Sequence, residues 1–489
     1  MKTRIALLII VNLMTIVVQA QSEIAAFNLT GLGAATPFAR DYQALGINPA
    51  NLNIKSAYEK TMNMGLFDMT FSIHSDAFSK ADLRANVFGG QLSSLSQSQK
   101  REYALSFATG NNAVNADMMT FGISKRTEKM GTFAFSIRDR FSYKSKLGQT
   151  ASEILWLGFN APYFDSLVVQ NEAGLDTILN SQSVNPDNLN IIAGFVNSAN
   201  ALSMSKILLG TRMNLTWYRE FNLGWGTTLI DRDGLQLHLG AAAKFLWGQG
   251  LIDITDDGTN TQAYSALSPL ISIDYDAAAS VNPTAIASDA WKFKPVGAGV
   301  GVDLGAAIVI QKSITLNASI LDIGQINWTG NVYELDDQPL LSYQTTGLEN
   351  PDIINCFDLL QGSDGLLTWK GSFSKRTTLP TTLRLGAGFD DLKRIKFGAD
   401  LIAPVGQNYA AIDKAIINFG GEITIAKWLH FQAGYSTGGN YGTKIPVGFY
   451  ISRMDGAKEF GIASRDAITF FRDNDPTLSF AMGFMRFRW

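Results

Sequence analysis

Stretch after stretch of this chain alternates apolar residues with small or polar ones at every second position. Val300, Val302, Leu304, Ala306, Ile308 and Ile310 interleave with Gly299, Gly301, Asp303 and Gly305, and Leu383, Leu385, Ala387 and Phe389 with Thr382, Arg384, Gly386 and Gly388. The pattern recurs over 395–401, 417–425 and 429–436. A period of two is the mark of a strand with two unlike faces. A soluble sandwich alternates in the same way, with its polar face in water. The chain ends decide between the two.

The C-terminal stretch 478–489 reads as a strand closing on an aromatic residue. Ala481, Gly483, Met485, Phe487 and Trp489 share one face by parity, and Arg486 and Arg488 share the other. Phe487 and Trp489 are the expected C-terminal signal of an outer-membrane β-barrel, which carries an apolar lipid face and interfacial aromatics. At the other end, Lys2 and Arg4 precede the apolar run 5–18 and the small-residue site Val18-Gln19-Ala20. This predicts a secretory signal peptide over 1–20, because the run is shorter than a membrane-spanning helix. No cysteine stands near that site, which argues against a lipid anchor. Beyond it no long apolar segment follows, although apolar residues make up 46% of the chain. Hydrophobicity spread this thinly is what transmembrane strands produce. The single cysteine, Cys356, leaves no disulfide framework. A formal charge of −3 argues against nucleic-acid binding.

The expected fold is all-β: a closed antiparallel transmembrane β-barrel over 58–489. Strands are predicted near 60–73, 113–126, 132–144, 206–230, 235–250, 296–310, 314–328, 381–390, 392–404, 416–426, 429–438, 444–452, 457–471 and 477–489, about fourteen in all. Their connections alternate between short ones, such as Asp231-Arg232-Asp233-Gly234, and long ones near 74–112, 145–205, 251–295 and 329–380. Short periplasmic turns and long extracellular loops are the rule for such barrels. The stretches 94–108, 188–204 and 353–360 predict partly helical loops. Residues 21–57 are too apolar for a disordered tail and too rich in glycine and alanine for a domain. They are expected to fill the lumen as a hatch.

Several residues could carry chemistry. Gly434-Tyr435-Ser436-Thr437-Gly438 matches a Gly-x-Ser-x-Gly pattern, but that motif needs a strand-to-helix elbow, and no helical pattern follows it. His430 lies six residues from Ser436 on the same strand, roughly 20 Å away at about 3.3 Å per residue. No enzyme activity is expected. Asp253, Asp256, Asp257 and Asn260 form an acidic loop whose spacing does not match an EF-hand, so a solvated loop is expected rather than a calcium site. Neither a metal nor a cofactor is expected. Inward-facing Asp303, Arg384, Lys396, Asp400, Glu422, Arg486 and Arg488 predict a lumen network that stiffens the barrel and seats the hatch, with a polar solute path as the alternative.

Three stretches carry a resemblance. Gly46-Ile47-Asn48-Pro49-Ala50-Asn51-Leu52 resembles the Asn-Pro-Ala element in the hatch of FadL-type long-chain fatty-acid channels and of their PorV relatives in Bacteroidetes-type bacteria. Stretches 297–305 and 321–328 are similar to FadL-like barrels of unknown function from that group. The resemblance spans nearly the whole mature chain and implies passive passage of a small hydrophobic compound across the outer membrane of a Gram-negative bacterium. It also implies release by a hatch shift or a kinked wall strand, with Asn48, Pro49 and Ala50 as gating candidates. On the residues alone, Pro49 fixes φ and Asn48 holds a turn, so a purely structural role stands beside gating. The expected partners are outer-membrane lipid, the barrel assembly machinery acting on the last strand, and a hydrophobic small molecule, with the barrel a monomer. The alternatives are a PorV-like accessory role with a secretion partner and a purely structural membrane protein.

Overall fold

The computed structural model describes residues 26–489 except 56–59, 89–93, 182–188, 272, 274, 276, 288–292, 350–365, 392–393, 407–413, 440–441, 454–455 and 474–475. The expected signal peptide, the stretch 353–360 and Cys356 lie outside the described residues. Fourteen strands form the barrel: β1 (Met62–Ser75), β2 (Asn112–Thr127), β3 (Gly131–Lys146), β4 (Arg212–Arg232), β5 (Leu235–Asp256), β6 (Gly297–Ile310), β7 (Ile314–Trp328), β8 (Thr382–Asp390), β9 (Ile395–Pro404), β10 (Ile416–Ala426), β11 (Leu429–Gly438), β12 (Val447–Arg453), β13 (Lys458–Ser464) and β14 (Thr477–Arg488). Each pairs antiparallel with the next. β14 pairs with β1 from Asn63↔Arg488 to His74↔Thr477 and closes the ring. Closure leaves no edge, so every wall peptide finds its partner inside the protein. None of the described helices is long and apolar enough to cross a membrane.

The turns at one end follow from their residues. Asp233 and Gly234 both take positive φ, 48° and 80°, the two-residue turn that suits the twist of a hairpin. Its strands are the longest, 21 residues in β4 and 22 in β5. At about 3.3 Å per residue they run roughly 70 Å, so they stand well beyond the bilayer and carry the loops of the other end. There, helices Gln97–Thr109 and Gln149–Leu157 pack against residues 346–348. Ser96 and Gln99 cap the first helix reciprocally. Phe107, Ile154, Trp156, Leu208, Tyr333 and Leu367 are among the buried residues of this apolar dome.

Outward positions are apolar, as alternation predicts. Val300, Phe397, Phe419 and Ile425 are exposed, while Asp303 is fully buried. Four expectations need correction. β14 does not keep one phase: Ala481 and Gly483 face the lumen, and Met485 and Trp489 face outward. One extra residue bulges between Gly483 and Arg486 opposite β13, and a one-residue slip exchanges the faces. β13 ends at Ser464 rather than near 471, because Asp466 accepts from Ile468 N and Thr469 Oγ1 and caps a single 3-10 turn. β4 starts at Arg212, since Asp337 accepts from the backbone and hydroxyl of Ser205 at the short helix Met204–Ile207, and Gly210 turns the chain at φ 83°. Ile191–Phe195, expected in a helical stretch, is instead a strand of a small sheet with Ser166–Asn171, Gly174–Leu179 and Ser342–Tyr343.

Residues 26–54 fill the lumen as a hatch built of short helical turns. Leu32, Ala39, Tyr42, Ile47, Asn48 and Asn51 are fully buried. Wall glycines on twelve of the fourteen strands make room for it. Gly65 and Gly122 face Tyr42, and Gly224, Gly226 and Gly240 face Leu45, Leu52 and Pro49. Gly305 faces Asn48, and Gly386, Gly388 and Gly398 face the segment 36–38. Gly420 and Gly434 face the Leu32 carbonyl, Gly448 faces Gly31, and Gly461 and Gly483 face Phe27. A methyl group at Gly420 would overlap that carbonyl oxygen, whereas one at its neighbour Gly421 meets nothing nearer than 3.4 Å. Gly420→Val is therefore expected to unseat the hatch and open Arg40 to trypsin in the folded barrel, and Gly421→Ala is not. Equal cleavage in the two variants would contradict the socket.

Candidate functional site

The lumen is built in three levels. In the lowest, side chains from all quarters of the wall hold the hatch. Asn48 is the N-cap of the turn Pro49–Asn53: its Oδ1 accepts from Ala50 N at 3.0 Å. Its Nδ2 donates to Ala306 O at 3.1 Å on β6 and reaches Ala318 O at 3.5 Å on β7. Pro49 lies against Gly226 and Gly240, and Ala50 packs with Ala307 and Val309. The Asn-Pro-Ala element thus joins the hatch to β4, β5, β6 and β7. Elsewhere Ser319 donates to Ile47 O, Asn317 to Asn51 Oδ1, and Thr36 N to Asp400. Arg486 pairs with both hatch Asp41 and wall Glu459, which Arg488 also reaches.

Above the hatch on one side lies a buried ionic layer spanning β3 to β7. Arg140 Nη1 meets Glu220 at 3.1 Å and Asp322 at 3.1 Å. Lys244 Nζ lies 2.6 Å from Asp322 and 2.8 Å from Asp303. Asp322 reaches the centre because β7 bulges there: its φ is +57°, and its N–H donates to Asp303 Oδ1 at 2.8 Å. On the neighbouring wall Arg138 pairs with Asp117 at 2.7 Å.

The third level, towards the long loops, is apolar. Tyr218, Leu246, Ile326 and Trp328 are buried on the same inward parity that carries Glu220, Lys244 and Asp322 lower down, and Leu251, Val296 and Leu379 complete the cluster. The Trp328 ring nitrogen donates to Thr377 Oγ1, which satisfies its one polar atom. Porin-type lumens are polar and water-filled. This one turns apolar where the loops close over it.

The inward charges expected from the sequence fall into separate groups rather than one network. Asp303 belongs to the ionic layer. Asp400 holds Thr36 N and Asn418, with Arg384 acting on it electrostatically. Lys396 pairs with Glu422 at 2.9 Å, and Glu422 also accepts from Tyr450 and Gln432. Arg486 and Arg488 form the hatch clamp. The sequence reading missed Asp41, Asp117, Arg138, Arg140, Glu220, Lys244, Asp322 and Glu459. Charges two apart in apolar strands, as at 138 and 140, were a usable signal. Asp322 was hidden by the bulge that changes its parity.

Ser436 lies on β11 with its N–H on Lys444 O, and among the described residues the next element is strand β12. His430 stacks on Tyr450 and bonds Thr424. In the acidic loop, Asp253 pairs with Lys375 and Asp256 accepts from Gly210 and Gly258. The backbone N–H of Asn260 and the hydroxyl and N–H of Thr259 hold the Asp257 carboxyl down at about 2. These carboxylates are committed within the protein. Among the described residues no cluster of three or more His, Cys, Asp or Glu could hold a metal ion.

Residues 180–453 match the model of a family of unknown function, DUF5723. No curated protein matches the chain. Similar solved structures include the Pseudomonas putida toluene transporter TodX, at 12% identity over 96% of this chain and 98% of that one, TM-score 0.41. The Ralstonia pickettii toluene transporter TbuX shares 9% identity over 95% and 99%, TM-score 0.42. A Pseudomonas aeruginosa FadL homologue shares 10% over 96% and 96%, TM-score 0.38. At these scores the functional reading rests on the geometry of this chain alone.

The ionic layer makes one prediction. Removing one partner of a buried ion pair costs about 3–5 kcal/mol, because the other charge stays buried and uncompensated. Lys244→Met, which strands Asp303 and leaves Asp322 to Arg140 alone, is expected to lower the urea stability of the refolded barrel by about that much. Adding Asp303→Asn should recover part of the loss. Additive losses would show that the groups are not coupled.

Proposed function

We propose that this chain, a member of the DUF5723 family of unknown function, is a FadL-like outer-membrane channel for passive passage of a small hydrophobic compound. The observation that carries the reading is the apolar upper third of the lumen. Tyr218, Leu246, Ile326 and Trp328 continue downward from an apolar dome of loops. A site of this kind takes an uncharged, poorly soluble molecule, whose transfer from water gains about 25 cal/mol per Å² of apolar surface buried. The hatch below it rules out an open aqueous pore.

The exit follows from two features. The ionic layer obstructs a vertical path for an apolar molecule, since stripping water from paired charges is costly. The wall beside it is irregular on three neighbouring strands. Phe67 on β1 has φ +58° and stands outside the pairing with both neighbours, Thr120 bulges on β2, and β14 bulges between Gly483 and Arg486. Release runs through this weakened wall or past the hatch edge next to it, where Tyr42 meets Gly65 and Gly122. The Asn48-Pro49-Ala50 latch holds the opposite side of the hatch during that shift. The apolar outer band and the expected signal peptide support an outer-membrane location in a Gram-negative cell.

Whole cells and liposomes test the reading together. Cells producing the barrel should take up the hydrophobic fluorophore N-phenylnaphthylamine faster than cells without it, and liposomes carrying it should not swell in small sugars. Ile326→Gln or Trp328→Gln should slow uptake several-fold, with heat-modifiable migration on gels showing that the barrel still folds. Free sugar permeation, or fluorophore uptake indifferent to both substitutions, would overturn the channel. A stoichiometric co-purifying protein in place of uptake would favour the accessory role.

A further inference from the structure

A cavity of about 120 Å³ lies beneath the hatch among the short turns. Seven cationic side chains and three carboxylates line it. Two of the carboxylates are already engaged, Glu422 by Lys396 and Glu459 by Arg486 and Arg488. The third, Asp390, acts electrostatically on Arg40 and Lys396. Among the described residues the hydrogen bonds of Arg40 go to carbonyl oxygens, Pro37 O at 2.8 Å and Ala39 O at 2.9 Å, both through Nη1. Among the described residues, Lys55, Lys312 and Arg394 form no side-chain ion pair. Lys312 and Arg394 sit in the β6–β7 and β8–β9 turns, and Lys55 closes the hatch segment, so the three come from separate elements around one opening.

We propose that this vestibule binds one oxyanion group, a phosphate or carboxylate, presented from the periplasmic side. Excess positive charge in a low-dielectric cleft concentrates field at its mouth and draws in anions. Arg394 supplies planar, forked donors, and the lysines supply point charges that fit around one such group. The cavity is too small for a folded partner and large enough for a single headgroup. The same chemistry is offered by a free periplasmic phosphate and by an anionic phospholipid of the inner leaflet. The inference does not depend on what the upper lumen carries, because the vestibule and the apolar cluster lie on opposite sides of the hatch.

The mature chain, folded in zwitterionic detergent, would be titrated calorimetrically with inorganic phosphate at low ionic strength. Its thermal unfolding would also be compared in phosphatidylglycerol and phosphatidylcholine nanodiscs. One phosphate per barrel is expected, weakened about tenfold or more by Lys312→Gln/Arg394→Gln and unchanged by Lys129→Gln/Lys427→Gln, which lie in other turns. Stabilisation by phosphatidylglycerol that only the first pair removes, without phosphate binding, would identify the lipid headgroup as the source. No response to either anion, or equal responses in both double variants, would overturn the site. Heat modifiability shows that each variant has folded.

Discussion

The barrel is organised around the close seat of the hatch against a wall stripped of side chains where the hatch passes. At Gly420 and Gly434 any larger residue would overlap the Leu32 carbonyl oxygen, and a side chain at hatch Gly31 would overlap the backbone at Gly448. Glycine in a strand interior weakens it, so this wall depends on the hatch for the packing its own side chains do not supply. The hatch in turn has too little surface to fold alone. Each completes the other, and the lumen above inherits its shape from where the hatch stops.

That fit divides the lumen into chemically distinct compartments. Below the hatch the lining is cationic and open. Above it, paired charges on β3 to β7 form a stiff layer. Beyond that layer the lining is apolar and continuous with the loop dome. A water-filled pore would need one polar path through all three, and the observed order interrupts it twice. A hydrophobic molecule entering from the loops meets compatible surface only down to the ionic layer. On the proposed reading, the irregular stretch around Phe67, Thr120 and the β14 bulge is its way out.

Much of this was legible from residue order. Alternation located all fourteen strands, because a lipid-facing band and an inward face must exchange at every residue. Connection lengths told the two barrel ends apart, and composition set 21–57 apart from the strands, where residues 26–54 lie mostly buried. The errors of parity share one cause. Ala481, Gly483 and Asp322 were misplaced or missed because a bulge shifts parity without leaving a mark in composition. The glycines of the wall were visible, but their common purpose was not, since it depends on a segment hundreds of residues away. Pairings such as Arg140 with Asp322 across strands β3 and β7 are likewise set by the closed ring and by no local pattern. Asn48-Pro49-Ala50 stood out in the sequence, and in the fold it touches four strands.

The central claim is that the apolar upper lumen receives a small hydrophobic molecule. Native mass spectrometry of the barrel, purified in mild detergent and followed by organic extraction, tests it most directly. The account predicts an uncharged or weakly polar compound retained at up to one per barrel and lost from the Trp328→Gln protein, which still folds. A wild-type barrel that carries no such compound, and takes up none when incubated with a hydrophobic mixture, would contradict it.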